Sequence, residues 1–248
     1  MNRWRNKVAV VTGGSAGVGA ACVVDLAKAG MIVAALSRRE ETMNKFLNSL
    51  PEELRNNVYP IKCDVTIEEN VKTAFQWVQK NLGAVHVLIN NAGTCNSIDL
   101  SGLYCTKEIQ ETVDINVTAM VFCVREAFNL MKDHQIDGHI VLMNSICGHY
   151  IQKFPLCSVN IYAATKYAVT AMVETYSQEF SAAGTNVKVT GISPGIVNSG
   201  VMPASLRNLV DLPMLKPENI SNAIMYCLST PPNVQIHDMQ IRPLNEKF

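Results

Sequence analysis

One stretch near the N-terminus restricts the fold more than any other: Thr12-Gly13-Gly14-Ser15-Ala16-Gly17-Val18-Gly19. It follows Lys7-Val8-Ala9-Val10-Val11, a short β-branched run. It precedes Ala20 to Gly30, where apolar residues recur at helical spacing and a glycine closes the segment as a C-cap. Met31 to Leu36 then reads as a second strand. Strand, glycine-rich turn, helix and strand make a βαβ unit. Glycines at 13, 17 and 19 permit a tight turn and close approach of backbone to a pyrophosphate. The helix N-terminus adds free N–H groups and the positive end of its dipole. Gly13, Ser15, Gly17, Val18 and Gly19 are therefore the candidate phosphate cradle. The same glycines in an isolated turn would be a weak signal; the strand before and the helix after give it weight.

The rest of the chain keeps the alternation. Strands are expected at Val8–Thr12, Met31–Leu36, Val58–Cys63, Val85–Asn90, His139–Asn144, Asn186–Ser193 and Asp238–Arg242. Helices are expected near 18–29, 41–49, 67–81, 106–131, 161–183 and 217–229. Most of the strands are nearly all apolar rather than alternating, as burial on both faces requires. The expected fold is α/β: one doubly wound (Rossmann) domain over 1–248, with a parallel seven-stranded sheet and helices on both faces. Ligands bind such sheets at the carboxyl ends of the strands. Those ends carry the glycine turn, Ser37-Arg38-Arg39, Asp64-Val65, Asn90-Asn91-Ala92-Gly93, Ser145 and Pro194-Gly195.

Within expected helix 161–183, Tyr162 and Lys166 lie four residues apart and share a face. An ammonium beside a phenol favours the ionised form. The pair therefore predicts a tyrosine shifted below its ordinary value of about 10 and able to exchange a proton near neutral pH. Alone, a Tyr and a Lys at this spacing are an ordinary surface pair; the phosphate cradle at the other end of the chain gives them meaning.

Together these segments resemble the short-chain dehydrogenase/reductase family, over nearly the whole chain. The resemblance rests on TGGSAGVG at 12–19, Asp64, NNAG at 90–93, Asn116, Ser145, YAATK at 162–166 and Pro194-Gly195. Within the family the chain looks most like the animal dehydrogenase/reductase subgroup that includes insect farnesol dehydrogenases, through Asn144–His149, Tyr162–Ala171 and the tail Leu228–Pro243. The resemblance implies a catalytic set of Asn116, Ser145, Tyr162 and Lys166. Tyr162 would exchange the proton with the substrate oxygen, and Ser145 would hydrogen-bond that oxygen. Lys166 would tune the phenol and hold the nicotinamide ribose. Asn116 would steady its helix and a water that continues a proton relay toward Lys166. Asn91, Ala92, Gly93, Pro194, Gly195 and Val197 join the cofactor site by the same resemblance, and Ser199 would hydrogen-bond the nicotinamide amide.

An acidic residue after the second strand would favour NAD, and an arginine there suits a 2′-phosphate. Ser37-Arg38-Arg39 has no carboxylate before Glu40, so NADP(H) is expected over NAD(H). Asp64, with Val65 beside it, is expected to accept from the adenine amino group or to cap the following helix.

Two apolar segments are expected to close over the site. One is 149–160, with Tyr150, Ile151, Phe154, Pro155, Leu156 and Val159; the other is a substrate lid at about 196–216, running from Ile196 to Leu215. The competing reading is ordinary packing or a subunit contact. A lid without a prominent basic residue over 196–206 points to neutral lipophilic substrates: isoprenoid alcohols, steroids, retinoids or simple carbonyls. His149, close to Ser145, raises a Ser–His hydrolase, but no G-x-S-x-G elbow surrounds Ser145. A nucleotide-sugar epimerase would need more chain than the roughly fifty residues after Pro194. A catalytically silent NADP(H)-binding sensor or scaffold is the alternative, and the intact catalytic set argues against it.

Composition narrows the partners. Lys+Arg and Asp+Glu are both 21, so no nucleic acid or acidic membrane is expected. The basic start lacks a signal-peptide core, and no run is long enough for a membrane span. The eight cysteines form no CxxC pair, which favours buried thiols over zinc or disulfides and a cytoplasmic setting; no metal is expected. By the family resemblance, a homodimer or homotetramer is expected, pairing through 106–131, 161–183 and the last strand.

Overall fold

The computed structural model describes residues 1–96, 99–103, 105–151, 160–200 and 213–246. Seven strands form one sheet in the order β3-β2-β1-β4-β5-β6-β7, all parallel. They are β1 (Val8–Thr12), β2 (Ile32–Ser37), β3 (Val58–Lys62), β4 (Val85–Asn90), β5 (His139–Met143), β6 (Lys188–Pro194) and β7 (Asp238–Ile241). The expected α/β single-domain doubly wound sheet is the observed one.

Period-two alternation explains why the strands are apolar throughout. Val8, Val10, Leu88, Ile140 and Leu142 point to one face, into a core shared with α4 (Glu68–Leu82), α6 (Ala119–Asp133) and α7 (Asn160–Ala182). Ala9, Val11, Val87, Ile89 and Val141 point to the other, under α1 (Gly17–Lys28) and the helix Pro217–Ser229, numbered α8 here. Each fully buried Val, Leu or Ile contributes roughly 1.5–3 kcal/mol, so both faces must be covered. Pro60 is tolerated in β3 because that strand is the sheet edge.

The end of α1 follows from its sequence. Gly30 takes φ +81°, its N–H reaches the Ala27 carbonyl, and Met31 N–H reaches back to Leu26. That double return satisfies the last carbonyls of the helix and sets the angle into β2. Most element ends lie within a residue or two of expectation. The helix expected near 41–49 is α2 (Glu40–Ser49), and a one-turn α3 (Glu52–Arg55) follows it that was not expected. β6 starts at Lys188 and runs on to Pro194. The single helix expected over 106–131 is α5 (Thr106–Val113), a widened π turn at Asp114–Thr118, and then α6.

Chain order reverses between β1 and β4, which are neighbours, so the crevice outside their carboxyl ends is the switch point of the sheet. A cavity of about 680 Å³ opens there. Of the apolar residues expected to cover it, Phe154, Pro155, Leu156 and Val159 lie outside the described residues, as do Val201, Met202, Pro203, Leu206, Leu209, Val210 and Leu212. Among the described residues no helix is long and apolar enough to cross a membrane.

Candidate active site

The first turn after β1 is shaped by backbone. Gly13 and Gly17 have φ of +66° and +54°, a region that favours glycine. Gly14 N–H bonds the Leu36 carbonyl and Ser15 Oγ lies 2.8 Å from Ser37 Oγ, tying the turn to the end of β2. Gly13, Ser15, Gly17 and Val18 face the cavity, while Gly19 does not. A Cβ on Gly19 would collide with the Gly13 carbonyl oxygen and lie 2.6 Å from Asn91 Nδ2. Gly19 lets the helix pack closely on the turn.

Thr12 joins this turn to the loop after β4. Its hydroxyl oxygen accepts from both Asn91 N–H and Ala92 N–H at 2.9 Å, and its carbonyl accepts from Asn91 Nδ2 at 2.9 Å. Asn91, Ala92 and Gly93 are thereby held along the cavity wall. The sequence marks Thr12 only as the start of the glycine-rich turn; its bracing role was not legible because its partners are 79 and 80 residues away.

At the far end lie Ser37, Arg38 and Arg39 from β2, and Asp64 and Val65 after β3. The Arg38 side chain is 70% exposed and its Nη1 sits 3.9 Å from Asp64 Oδ2, too loose a pair to immobilise it. Asp64 Oδ1 accepts from Thr66 N–H at 3.1 Å and Thr66 Oγ at 2.7 Å. One carboxylate oxygen thus serves the local turn before α4, and the other leans toward Arg38. Glu40 pairs with Lys62 at 3.6 Å.

The four residues of the expected catalytic set come from three places in the fold: the π turn, the end of β5 and α7. Asn116 sits in the π turn, fully buried. Its Oδ1 accepts from Thr94 N–H at 2.9 Å, and its Nδ2 donates to the Thr94 carbonyl at 2.9 Å and to Thr165 Oγ1 at 3.1 Å. Both amide hydrogens are used, so the side chain clamps the β4 loop to α7 and makes no direct contact with Lys166. Ser145 follows β5 and starts a short turn by accepting from Cys147 N–H at 3.1 Å. Tyr162 and Lys166 lie one turn apart on α7, and both line the cavity with Ser145.

The expected downward shift of Tyr162 is not what the geometry produces. Burial, the larger cause, raises the phenol above its ordinary value; Cys95 and Cys147 push the same way, and a hydrogen bond from Ser145 opposes them. Lys166 Nζ is turned to the Met143 carbonyl at 2.8 Å and lies 5.5 Å from the Tyr162 ring centre. Burial pushes this ammonium down to about 8. Desolvation therefore outweighs the pairing on which the expectation rested.

Pro194, Gly195, Val197 and Ser199 form the opposite wall, where the Ser199 Cβ lies 3.3 Å from the Cβ position of Gly17. His149 is explained by neighbours other than Ser145. Its Nε2 lies 2.9 Å from Ser193 Oγ and 3.4 Å from Asp238 Oδ2, and Ser193 donates to Asp238 Oδ1 at 2.7 Å. Ser193 is fully buried, so it cannot attack a substrate. His139 opens β5 fully buried, 2.8 Å from Thr190 Oγ1.

A nicotinamide dinucleotide fits this arrangement: two positive-φ glycines and the α1 N-terminus for its phosphates, the exposed Arg38 at one end, and a buried lysine and a half-buried tyrosine at the other. Among the described residues no group of three or more His, Cys, Asp or Glu is arranged to hold a metal ion.

Comparison with known proteins bears on the family and the fold. Residues 7–209 match the short chain dehydrogenase family. Farnesol dehydrogenase of Aedes aegypti is 46% identical over the full length of both chains. Dehydrogenase/reductase SDR family member 11 of Mus musculus is 36% identical, over 99% of this chain and 97% of its own. An alcohol dehydrogenase from the archaeon Thermococcus sibiricus, solved with 5-hydroxy-NADP, superposes with a TM-score of 0.84 at 25% identity, over 97% of this chain and 98% of its own. With the strand order, the glycine turn and the Ser–Tyr–Lys cluster in place, the chain belongs to the short-chain dehydrogenase/reductase family, a nucleotide-dependent family of oxidoreductases.

Proposed function

We propose that this chain is an NADP(H)-dependent oxidoreductase that interconverts a lipophilic alcohol and its carbonyl, with Tyr162 as the acid/base. The observation that carries the reading is one cavity with Ser145, Tyr162 and Lys166 at one end and the exposed Arg38 at the other. Arg38 with no carboxylate at 37–39 supports the 2′-phosphate form, its guanidinium offering a planar fork to that group. The cofactor, when bound, supplies or takes the hydride. Ser145 turns its hydroxyl to the substrate oxygen. Tyr162, held protonated by burial, is in the form that gives its proton to a carbonyl. Asn116 keeps α7 registered on the β4 loop through Thr165 and Thr94.

The substrate class is proposed as an isoprenoid alcohol of the farnesol kind, a steroid or a retinoid. Ile196, Val197, Met214 and Leu215 at the two ends of the proposed lid, about 196–216, support an apolar ligand. The ends meet where Leu215 N–H bonds the Ile196 carbonyl and Asn198 N–H bonds the Leu215 carbonyl, both at 2.8 Å. The name of the 46% identical relative points the same way. The seven described cysteines are free thiols, which supports a reducing, cytoplasmic setting. Pairing as a homodimer or homotetramer through the helices at 106–131 and 161–183 is proposed by analogy with the family.

The test is turnover of the purified protein, followed by reduced-nicotinamide absorbance with NADP and with NAD over farnesol, retinol, a hydroxysteroid and simple alcohols. Turnover with NADP and a lipid alcohol is expected. Binding of nucleotide without turnover of any alcohol or carbonyl would instead favour a silent binding protein.

A further inference from the structure

Gly195 sits in a segment that the family resemblance gives to the cofactor, yet no positive φ demands a glycine there. What excludes a side chain is the C-terminal tail. A Cβ on Gly195 would lie 2.6 Å from Glu246 Oε1, 3.1 Å from Glu246 Oε2 and 3.0 Å from Pro243 Cδ. The Glu246 side chain is only 2% exposed. Its Oε1 accepts from Ile196 N–H at 3.2 Å, and its Oε2 takes the Arg242 Nε–H. Gly195 N–H in turn bonds the Ile241 carbonyl at 2.7 Å. A buried carboxylate is costly unless fully partnered. Here its partners are the residue that opens the lid base and an arginine four residues earlier in the same tail. Ile196 then pairs with Leu215.

We infer that Glu246 is a positioning residue: its carboxylate, seated under Gly195 and pinned by Arg242, holds the Gly195–Ile196 backbone against the nicotinamide end of the cavity. Gly195 is a glycine to admit this carboxylate, not to admit the nucleotide. The inference rests on the nucleotide site proposed above. It adds that the cofactor wall is set from behind by the last residues of the chain, so that changes in the tail alter nucleotide affinity without touching nucleotide.

The test is a double-mutant cycle on the full chain, read by calorimetric titration with NADPH and by thermal unfolding without nucleotide. Gly195→Ala is expected to weaken NADPH binding roughly tenfold or more in the wild-type background, and by less than about threefold in Glu246→Ala, where two of the three nearest atoms are gone. Glu246→Gln keeps an oxygen for Ile196 N–H and is expected to retain more affinity than Glu246→Ala. In unfolding without nucleotide, Gly195→Ala should likewise lower Tm less in the Glu246→Ala background; this readout stands if Gly195→Ala binds too weakly to titrate. Equal loss in both backgrounds, while the wild type binds normally, would overturn the assignment and return Gly195 to nucleotide contact. Unchanged NADPH affinity in Glu246→Ala would overturn it as well. Wild-type protein that binds neither NADPH nor NADH would overturn the nucleotide reading itself, and this assignment with it.

Discussion

The two ends of the cavity are built from different materials. The end under β1 and β2 is made mainly of backbone: two positive-φ glycines, a helix N-terminus and a serine pair, with the exposed Arg38 and Arg39 at its edge. The end under β5 and β6 is made of buried polar side chains, each held by a partner from another element. Lys166 is held by the Met143 carbonyl, and Asn116, next to the cavity wall, is held by Thr94 and Thr165. The first design fixes shape at little cost in desolvation. The second places Tyr162 and Lys166 where burial raises the phenol and lowers the ammonium. Binding and proton transfer should therefore be separable by mutation.

The largest separation is expected at Tyr162. Tyr162→Phe removes only a hydroxyl from a half-buried ring, so NADPH affinity should stay within about twofold while turnover falls roughly 10²- to 10⁴-fold, the range of a lost general acid. Calorimetry beside steady-state rates checks both. A parallel loss of nucleotide binding would show that the two ends do not act independently. The converse experiment is Gly19→Ala. Its Cβ would strike the Gly13 carbonyl oxygen, so the turn must shift. Overpacking of this kind costs about 1–3 kcal/mol, visible as a lowered Tm and weakened nucleotide binding. Chemistry per bound nucleotide, read as single-turnover rate at saturation, should be nearly unchanged.

The same contrast explains what could be read before the fold was known. All seven strands and the Thr12–Gly19 turn were legible, because apolar runs and glycines at strand ends are local signals. The π turn that carries Asn116 was not, since one widened turn leaves helical spacing nearly intact. The one-turn α3 was too short to show a period. Residues Asn116, Ser145, Tyr162 and Lys166 could be picked from the motif order, but their partners could not: Thr94 and Thr165 lie 22 and 49 residues from Asn116. The direction of the Tyr162 shift was misread for the same reason. A one-turn spacing on α7 shows that the lysine is near, and only the packed structure shows how much water both groups have lost.

At the backbone-built end, one side chain carries the proposed choice of nucleotide. Arg38→Asp should weaken NADPH by about tenfold or more and leave NADH much less affected, since a charge-assisted bond to the 2′-phosphate would be replaced by repulsion. Competitive titration of the two nucleotides against the variant measures the ratio. An unchanged preference would remove Arg38 from the phosphate site and leave the distinction to the turn itself.

The smallest effect is the most specific to the side-chain-built end. Lys166 has its value depressed by burial to about 8, from an ordinary 10.5, so it is an ammonium below that pH and an amine above it. If the ammonium donates to the bound nucleotide, NADPH should bind best below pH 8 and lose roughly fivefold as pH rises through it, the difference between a charged and a neutral donor. Linkage requires the reciprocal effect: binding raises the Lys166 value and takes up protons near pH 8, measurable as a buffer-dependent heat. A fragment that reaches only the Arg38 end, adenosine 2′,5′-bisphosphate, should show neither effect above pH 7.5. Matching pH profiles for fragment and dinucleotide would mean that Lys166 keeps its bond to the Met143 carbonyl and takes no part in binding.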